Sequence, residues 1–208
     1  MKRLWPGIAV MLLIMTGCAK DPLNNLSPDE ARLYITNKND SVSFSSYATF
    51  RIADSVAVVH NNQLQEHART AFDAQLIESV AAQMQQKGYT RVQAGATPDI
   101  GIAISRVYND YSGVISYPDY WGGYGGYWDP FYWGYPGYGY YFPGIIGTYT
   151  VTDGAVSIDM FDVKNAASNN SIRFLWNGLI RGSGTFSEGN INTNVQALFD
   201  QSSYLTRN

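Results

Sequence analysis

The chain has 208 residues, with 14 lysines and arginines against 17 aspartates and glutamates and a formal charge of −3. It holds no basic cluster, which excludes the Lys/Arg footprint that nucleic-acid binding requires. Charged residues make up only 15% of the chain, so the surface must draw on Asn, Ser, Thr, Gln and Tyr.

At the N-terminus Lys2 and Arg3 precede an apolar run from Ile8 to Met15. That run is too short for a ~30 Å hydrocarbon core, which takes about 20 residues. It reads as the hydrophobic part of a secretory signal. The run ends in Met15-Thr16-Gly17-Cys18, which resembles a bacterial lipobox, where the chain is cut before a lipidated cysteine. Cys18 is the only cysteine, so no internal disulfide forms, and lipidation would remove a thiol exposed to an oxidising compartment. Each buried methylene contributes about 0.8 kcal/mol, so three acyl chains, palmitate among them, hold a protein firmly where one does not. No second run of ~20 apolar residues follows, so the expectation is a protein anchored to the membrane rather than spanning it. Ala19 stands where enteric bacteria place the aspartate that retains lipoproteins in the inner membrane, which favours the outer membrane, in either leaflet. The expected layout is a signal peptide at 1–17, a solvated tether at 18–30 and one domain at 31–208.

Along the domain, Ser27-Pro28-Asp29-Glu30 fits a one-turn helix start, followed by the β-prone Leu33-Tyr34-Ile35-Thr36. Lys38-Asn39-Asp40 is a turn. Phe44 to Val59 is a strand region with a break at Asp54. A long helix is predicted between Gln63 and Lys87 because Leu64, Ala68, Phe72, Leu76, Val80 and Met84 recur every fourth residue, with Gly88 as its stop. Tyr89 to Gln93 begins a strand. Ile100, Ile102 and Ile104 then alternate with Gly101, Ala103 and Ser105, a half-buried strand whose small-residue face admits close packing. Tyr149, Val151, Val156, Ile158 and Met160 alternate around Asp153-Gly154 and predict a hairpin there. After a polar turn from Lys164 to Asn170, Ile172, Phe174 and Trp176 alternate again, and Asn177-Gly178 reads as a bulge or tight turn. Asn190 starts a short helix with Ile191, Val195, Leu198 and Phe199 on one face. This order gives an α+β two-layer domain: a mostly antiparallel sheet with one long and one short helix on one face.

Between the strands lies a Gly/Tyr/Trp-rich insertion at 117–144. From Tyr117 to Phe142, 14 of 26 residues are aromatic and seven are glycine. No helix or strand period fits it. Three readings compete: rings folded back over the Gly101/Ala103 face, a surface for a protein or glycan partner, and insertion at the bilayer interface. So many rings exceed what a small domain hides, and large exposed patches mark interaction sites. The candidate binding residues are therefore Tyr120, Trp121, Tyr124, Tyr127, Trp128, Tyr132, Trp133 and Tyr135. Complete period-two patterns on either side predict that deleting Tyr120 to Tyr141, with a short Gly/Ser linker in their place, leaves the domain folded.

Several motifs fall in one order: the lipobox, Phe44-Ser-x-Tyr47-x-Thr49-Phe50, Lys87-Gly88-Tyr89, Pro98-Asp99-Ile100, Gly154-Ala-Val-Ser-Ile-Asp159-Met-Phe-Asp162 and Phe174-Leu-Trp176-Asn-Gly178. In this the chain resembles a family of bacterial envelope lipoproteins, domain-of-unknown-function family 4136, in its Bacteroidetes form. The resemblance implies an α+β lipoprotein domain without an assigned activity, and it carries over no catalytic residue.

Enzymatic signatures are sparse. His60 and His67 form no HExxH-like pair, no G-x-S-x-G elbow occurs, and the glycine run lacks the flanking strand and helix of a dinucleotide fingerprint. No cofactor or metal is expected. Asp153, Asp159 and Asp162 read as a solvated face. The alternative is an envelope enzyme acting on glycans through Asp159 or Asp162. Asp40-Ser41-Val42 and Asp54-Ser55-Val56 match a short O-glycosylation acceptor pattern. The expectation is a non-enzymatic, lipid-anchored envelope protein whose aromatic loop engages a partner. Replacing the lipobox cysteine tests the anchor: Cys18→Ser should abolish acylation and membrane partitioning, and a normally acylated mutant contradicts the lipobox reading.

Overall fold

The computed structural model describes residues 32–61, 63–108, 113–116, 128–142, 148–151 and 154–207. Cys18, the Ser27-Pro28 start and Asp153 lie outside them. In chain order the elements are β1 (Leu33–Lys38), β2 (Thr49–Ile52), β3 (Val56–His60), β4 (Gln63–Ala68) and α1 (Ala71–Gln86). Then come β5 (Thr90–Arg91), β6 (Ile100–Tyr108), β7 (Gly113–Ser116), β8 (Gly139–Tyr141) and β9 (Thr148–Val151). The last are β10 (Ala155–Asp162), α2 (Ala166–Asn169), β11 (Ser171–Arg181) and α3 (Ile191–Gln201).

Nine strands join one mixed sheet built around β6. On one side of it, β10, β11 and β1 follow in antiparallel succession, with Ile158 opposite Ile104 and Asp159 opposite Asn177. On the other, β2 runs parallel along the first half of β6 and β3 along the second. The expected break at Asp54 is where one hands over to the other, and the Ala53 N–H still reaches the Ile102 carbonyl at 2.9 Å. The fold is α+β, and both larger helices cover one face as expected. The sheet is more mixed than the sequence implied, because β2, β3, β5 and β8 all pair in parallel.

The helix-covered face is the principal core. Ile100, Ile102 and Ile104 of β6, and Val156, Ile158 and Met160 of β10, meet Leu76, Val80 and Met84 of α1 and Val195, Leu198 and Phe199 of α3. Phe72 sits at the rim of this core, edge-on to Phe186 at 6.2 Å. Gly178 lets the Trp176 ring lie flat along β11: a Cβ there would strike that ring and come within 2.8 Å of Leu198 Cδ1. Trp176 in turn donates to Ser202 Oγ at 2.9 Å, tying the strand to the end of α3.

Three expectations are corrected. The long helix starts at Ala71, and Gln63 to Ala68 form β4, paired with β3 behind the left-handed Asn61 (φ 48°). A repeat of four drifts about 40° per step around a helix, so Leu64 to Met84 never described a single stripe. Leu64 is 41% exposed. The true start is a capping box: Asp73 N–H donates to Thr70 Oγ1, and Thr70 N–H donates to Asp73 Oδ2 at 2.8 Å. Second, β9 pairs with β7 and not with β10, because β6 and β11 already occupy both edges of β10. Third, β11 runs unbroken through Asn177-Gly178. The irregularity falls just before, where Leu175 of β11 is the extra residue between Phe174, opposite Phe161, and Trp176, opposite Met160.

Asp73 does more than cap α1. It is fully buried, and its Oδ1 lies 2.9 Å from Arg106 Nε while Arg106 Nη2 donates to Oδ2 at 3.2 Å. The helix start is thereby fixed to the central strand. Breaking a buried pair leaves a desolvated charge behind, at about 3–5 kcal/mol. Asp73→Ala should lower the unfolding free energy by about that amount in denaturant titration, and a loss below ~1 kcal/mol would show that the pair does not hold α1 to β6.

Candidate functional site

The second face of the sheet is also covered. Ala103 of β6, Ala155 and Phe161 of β10, and Ile172 and Phe174 of β11 form a second buried cluster, with the buried Gly101 of β6 beside it. Its lid is the later part of the aromatic segment. Asp129 caps a single 3₁₀ turn, Pro130–Trp133, by accepting from the Phe131 N–H at 2.8 Å, and Gly134 closes it in the left-handed conformation (φ 93°). This turn lowers the Trp133 ring onto Gly101. A Cβ at Gly101 would lie 3.0 Å from Trp133 Cε3 and 3.0 Å from Val163 Cγ2, so any side chain there would push the Trp133 ring or Val163 outward.

Polar tips fix the ribbon laterally. Trp133 Nε1 donates to the Tyr140 hydroxyl at 2.9 Å, and that hydroxyl donates to the Trp128 carbonyl at 2.7 Å. The Tyr140 ring packs 5.0 Å from Phe161, and burial pushes its phenol well above the ordinary tyrosine range. Arg51 Nη2 donates to the Tyr132 carbonyl at 2.6 Å, and its guanidinium lies 5.1 Å from the Tyr132 ring and 5.3 Å from that of Trp133. The Tyr132 hydroxyl accepts the Asp54 N–H at 3.1 Å, and burial raises its pKa as well. Trp128 is stacked against His67 of β4 at 4.2 Å. The ribbon then continues into β8, which adds to β11 with Tyr140 opposite Ile172.

Of the eight candidate binding rings, Tyr120, Trp121, Tyr124 and Tyr127 lie outside the described residues. Trp128 and Trp133 are 5% and 2% exposed, so these two are core rings and not contact surface. Tyr132 and Tyr135 are half-buried at the edge of the same cluster. Among the described residues, the rings of the segment that do face solvent were not singled out in the sequence: Phe131 is 71% exposed and Tyr141 53%. Asp129-Pro130 carried the missing signal, since an aspartate followed by proline is the same start signature read at Ser27-Pro28. Beside Tyr141, the Arg173 guanidinium sits over its ring at 5.5 Å.

The carboxylates are placed otherwise than expected. Asp159 is fully buried, not solvated, because its face of the sheet is covered too. It accepts from Asn177 Nδ2 at 2.7 Å and Ser157 Oγ at 2.9 Å. Asp162, three residues along the strand, is also buried and accepts from the Asn165 N–H at 2.9 Å and Asn165 Nδ2 at 2.8 Å. It borders a polar cleft of about 360 Å³ with Tyr47, Asn165 and Arg173, which Asp159 does not reach. Burial first, and then the Asp162 charge, raise the Tyr47 phenol far above its usual range. Among the described residues no three His, Cys, Asp or Glu side chains come together as a metal would need, and no helix is long and apolar enough to cross a membrane.

The family model for a domain of unknown function, DUF4136, matches residues 35–202. The chain belongs to the DUF4136 family. No curated protein matches it. Among solved structures it is similar to a DUF4136 family protein from Bacteroides thetaiotaomicron, at 25% identity and a TM-score of 0.71 over 86% of this chain and 100% of that one. That relative agrees with the Bacteroidetes form read from the motifs. A PelC dodecamer from Paraburkholderia phytofirmans aligns at 9% identity and a TM-score of 0.40, over 85% of this chain and 99% of that one. A PDZ domain protein from Parabacteroides distasonis aligns at 14% and 0.38, over 84% of this chain and 36% of that one.

The contact of Trp133 with Gly101 replaces the expectation of a dispensable loop. Trp133→Ala should destabilise the domain by about 3–5 kcal/mol, the range for truncating a buried aromatic. A change under ~0.5 kcal/mol in thermal or denaturant unfolding, the size of a surface substitution, would put the ring in solvent.

Proposed function

We propose that this DUF4136 domain is a lipid-anchored protein of the cell envelope, held at the outer membrane through Cys18, with a non-catalytic binding role. Its contact surface is the aromatic ribbon, and its partner is an envelope protein or glycan. The observation that carries this reading is the division of the ribbon into two sets of rings. Trp128, Trp133 and Tyr140 are fixed to the sheet, while Phe131 and Tyr141 project from the same backbone into solvent. An exposed aromatic on an ordered base loses little entropy when a partner closes over it. Evolution toward solubility alone favours a polar residue at either place.

The test separates surface from core. A Phe131→Ser, Tyr141→Ser double variant should unfold at nearly the wild-type temperature, because both side chains are exposed. Crosslinking in intact cells, read by mass spectrometry, should then show loss of the principal crosslinked partner. An unchanged set of crosslinks with the double variant contradicts the proposal.

A further inference from the structure

At the β5 edge of the sheet, where it opens between α1 and the aromatic ribbon, lies a small, partly open cavity of about 180 Å³. Arg51 of β2, Arg69 at the end of the β3–β4 hairpin and Arg91 of β5 all line it. The chain has nine arginines and a net charge of −3, so three in one cavity is a strong local reversal of sign. Two carboxylates moderate it. Glu78 of α1 accepts from Arg91 Nη1 through both oxygens, at 2.8 and 3.0 Å, and Asp54 lies in the wall with its Oδ1 accepting from Ser55 Oγ at 3.3 Å. One positive charge remains uncompensated.

The donors are also incompletely used. Arg51 Nε is buried without a hydrogen-bond partner, although its Nη2 is held by the Tyr132 carbonyl. Among the described residues Arg69 makes no hydrogen bond or ion pair. A buried donor left unpaired costs free energy, and native proteins leave few of them. We propose that this cavity binds a single oxyanion: the phosphate or carboxylate group of a small acidic ligand. Guanidinium forks match both groups, which offer paired oxygens at the spacing of two N–H donors. The volume corresponds to about six waters at ~30 Å³ each, room for one anionic group and its first substituent. Ile77 and Tyr132 supply an apolar flank that strengthens a charge-assisted hydrogen bond by excluding water. The site lies beside the proposed contact rings but needs no macromolecular partner, so it stands or falls separately from that reading.

Isothermal titration of the full-length chain in neutral detergent decides the matter, with inorganic phosphate, glucuronate and glucose as three arms. The expected result is saturable one-to-one binding of phosphate, glucuronate or both, and none of glucose. Binding by phosphate alone assigns a phosphoryl ligand, and by glucuronate alone a carboxylate. Arg69→Gln, at an exposed side chain that leaves the fold intact, should weaken the anion about tenfold, the worth of one charge-assisted hydrogen bond. Arg91→Gln should do the same, while Lys38→Gln, outside the cavity, should leave binding unchanged. Absence of saturable binding by both anions overturns the proposal. So does anion binding that survives both arginine substitutions.

Discussion

β6 carries isoleucines on one face and glycine, alanine and serine on the other, and from Ile100 to Ser105 every residue is buried. A sheet strand can be shielded in this way only if both faces are covered, since an uncovered face would leave Ala103 and its neighbours against water. α1 and α3 cover the first. Over the second, the one-turn α2 contributes Ala166, and the main cover is the aromatic ribbon lowered onto Gly101 by Trp133. That contact organises what surrounds it: Arg51 turns to hold the ribbon's backbone, Tyr140 links Trp133 to Trp128, and β8 joins the sheet beside β11.

The polar groups follow from the same constraint. Asp159, Ser157 and Asn177 point to the second face, and because that face is closed they hydrogen-bond one another. Asp73 is buried under α1 and is held by Arg106 and Thr70 together. In both places a carboxylate has become part of the interior. Three carboxylates are thus held in the interior, and three arginines gather at the β5 edge.

Much of the frame was legible in the sequence. Ile100-Ile102-Ile104, Val156-Ile158-Met160 and the stripe of the last helix each appear where their period put them, because each buries one face against a partner of matching period. The long helix was overextended because Leu64 and Ala68 fit a four-residue repeat by coincidence, while the Thr70-Asp73 box that starts it is a two-residue signal. The Asp153-Gly154 hairpin failed because pairing is decided by which edges stay free, which no local window contains. The small-residue face of β6 was read as a place for close packing, and Trp133 is what packs there. The sequence left open which of fourteen rings would be core, since a ring serves equally as cover or as contact, and only the tertiary position of Asp129-Pro130 decides between them.

The central claim is that the ribbon from Trp128 to Phe142 is interior structure that carries exposed rings, rather than a loop. Native-state hydrogen exchange tests it amide by amide. The N–H groups of Tyr132, Gly134 and Tyr135 donate within the ribbon at 2.8, 2.9 and 3.0 Å. The account predicts that these amides, and those of Tyr140 and Tyr141 in β8, exchange only through openings nearly as costly as those that release Ile102 and Ile158. Exchange of the ribbon amides on the timescale of a free loop, with β6 and β10 still protected, would contradict it.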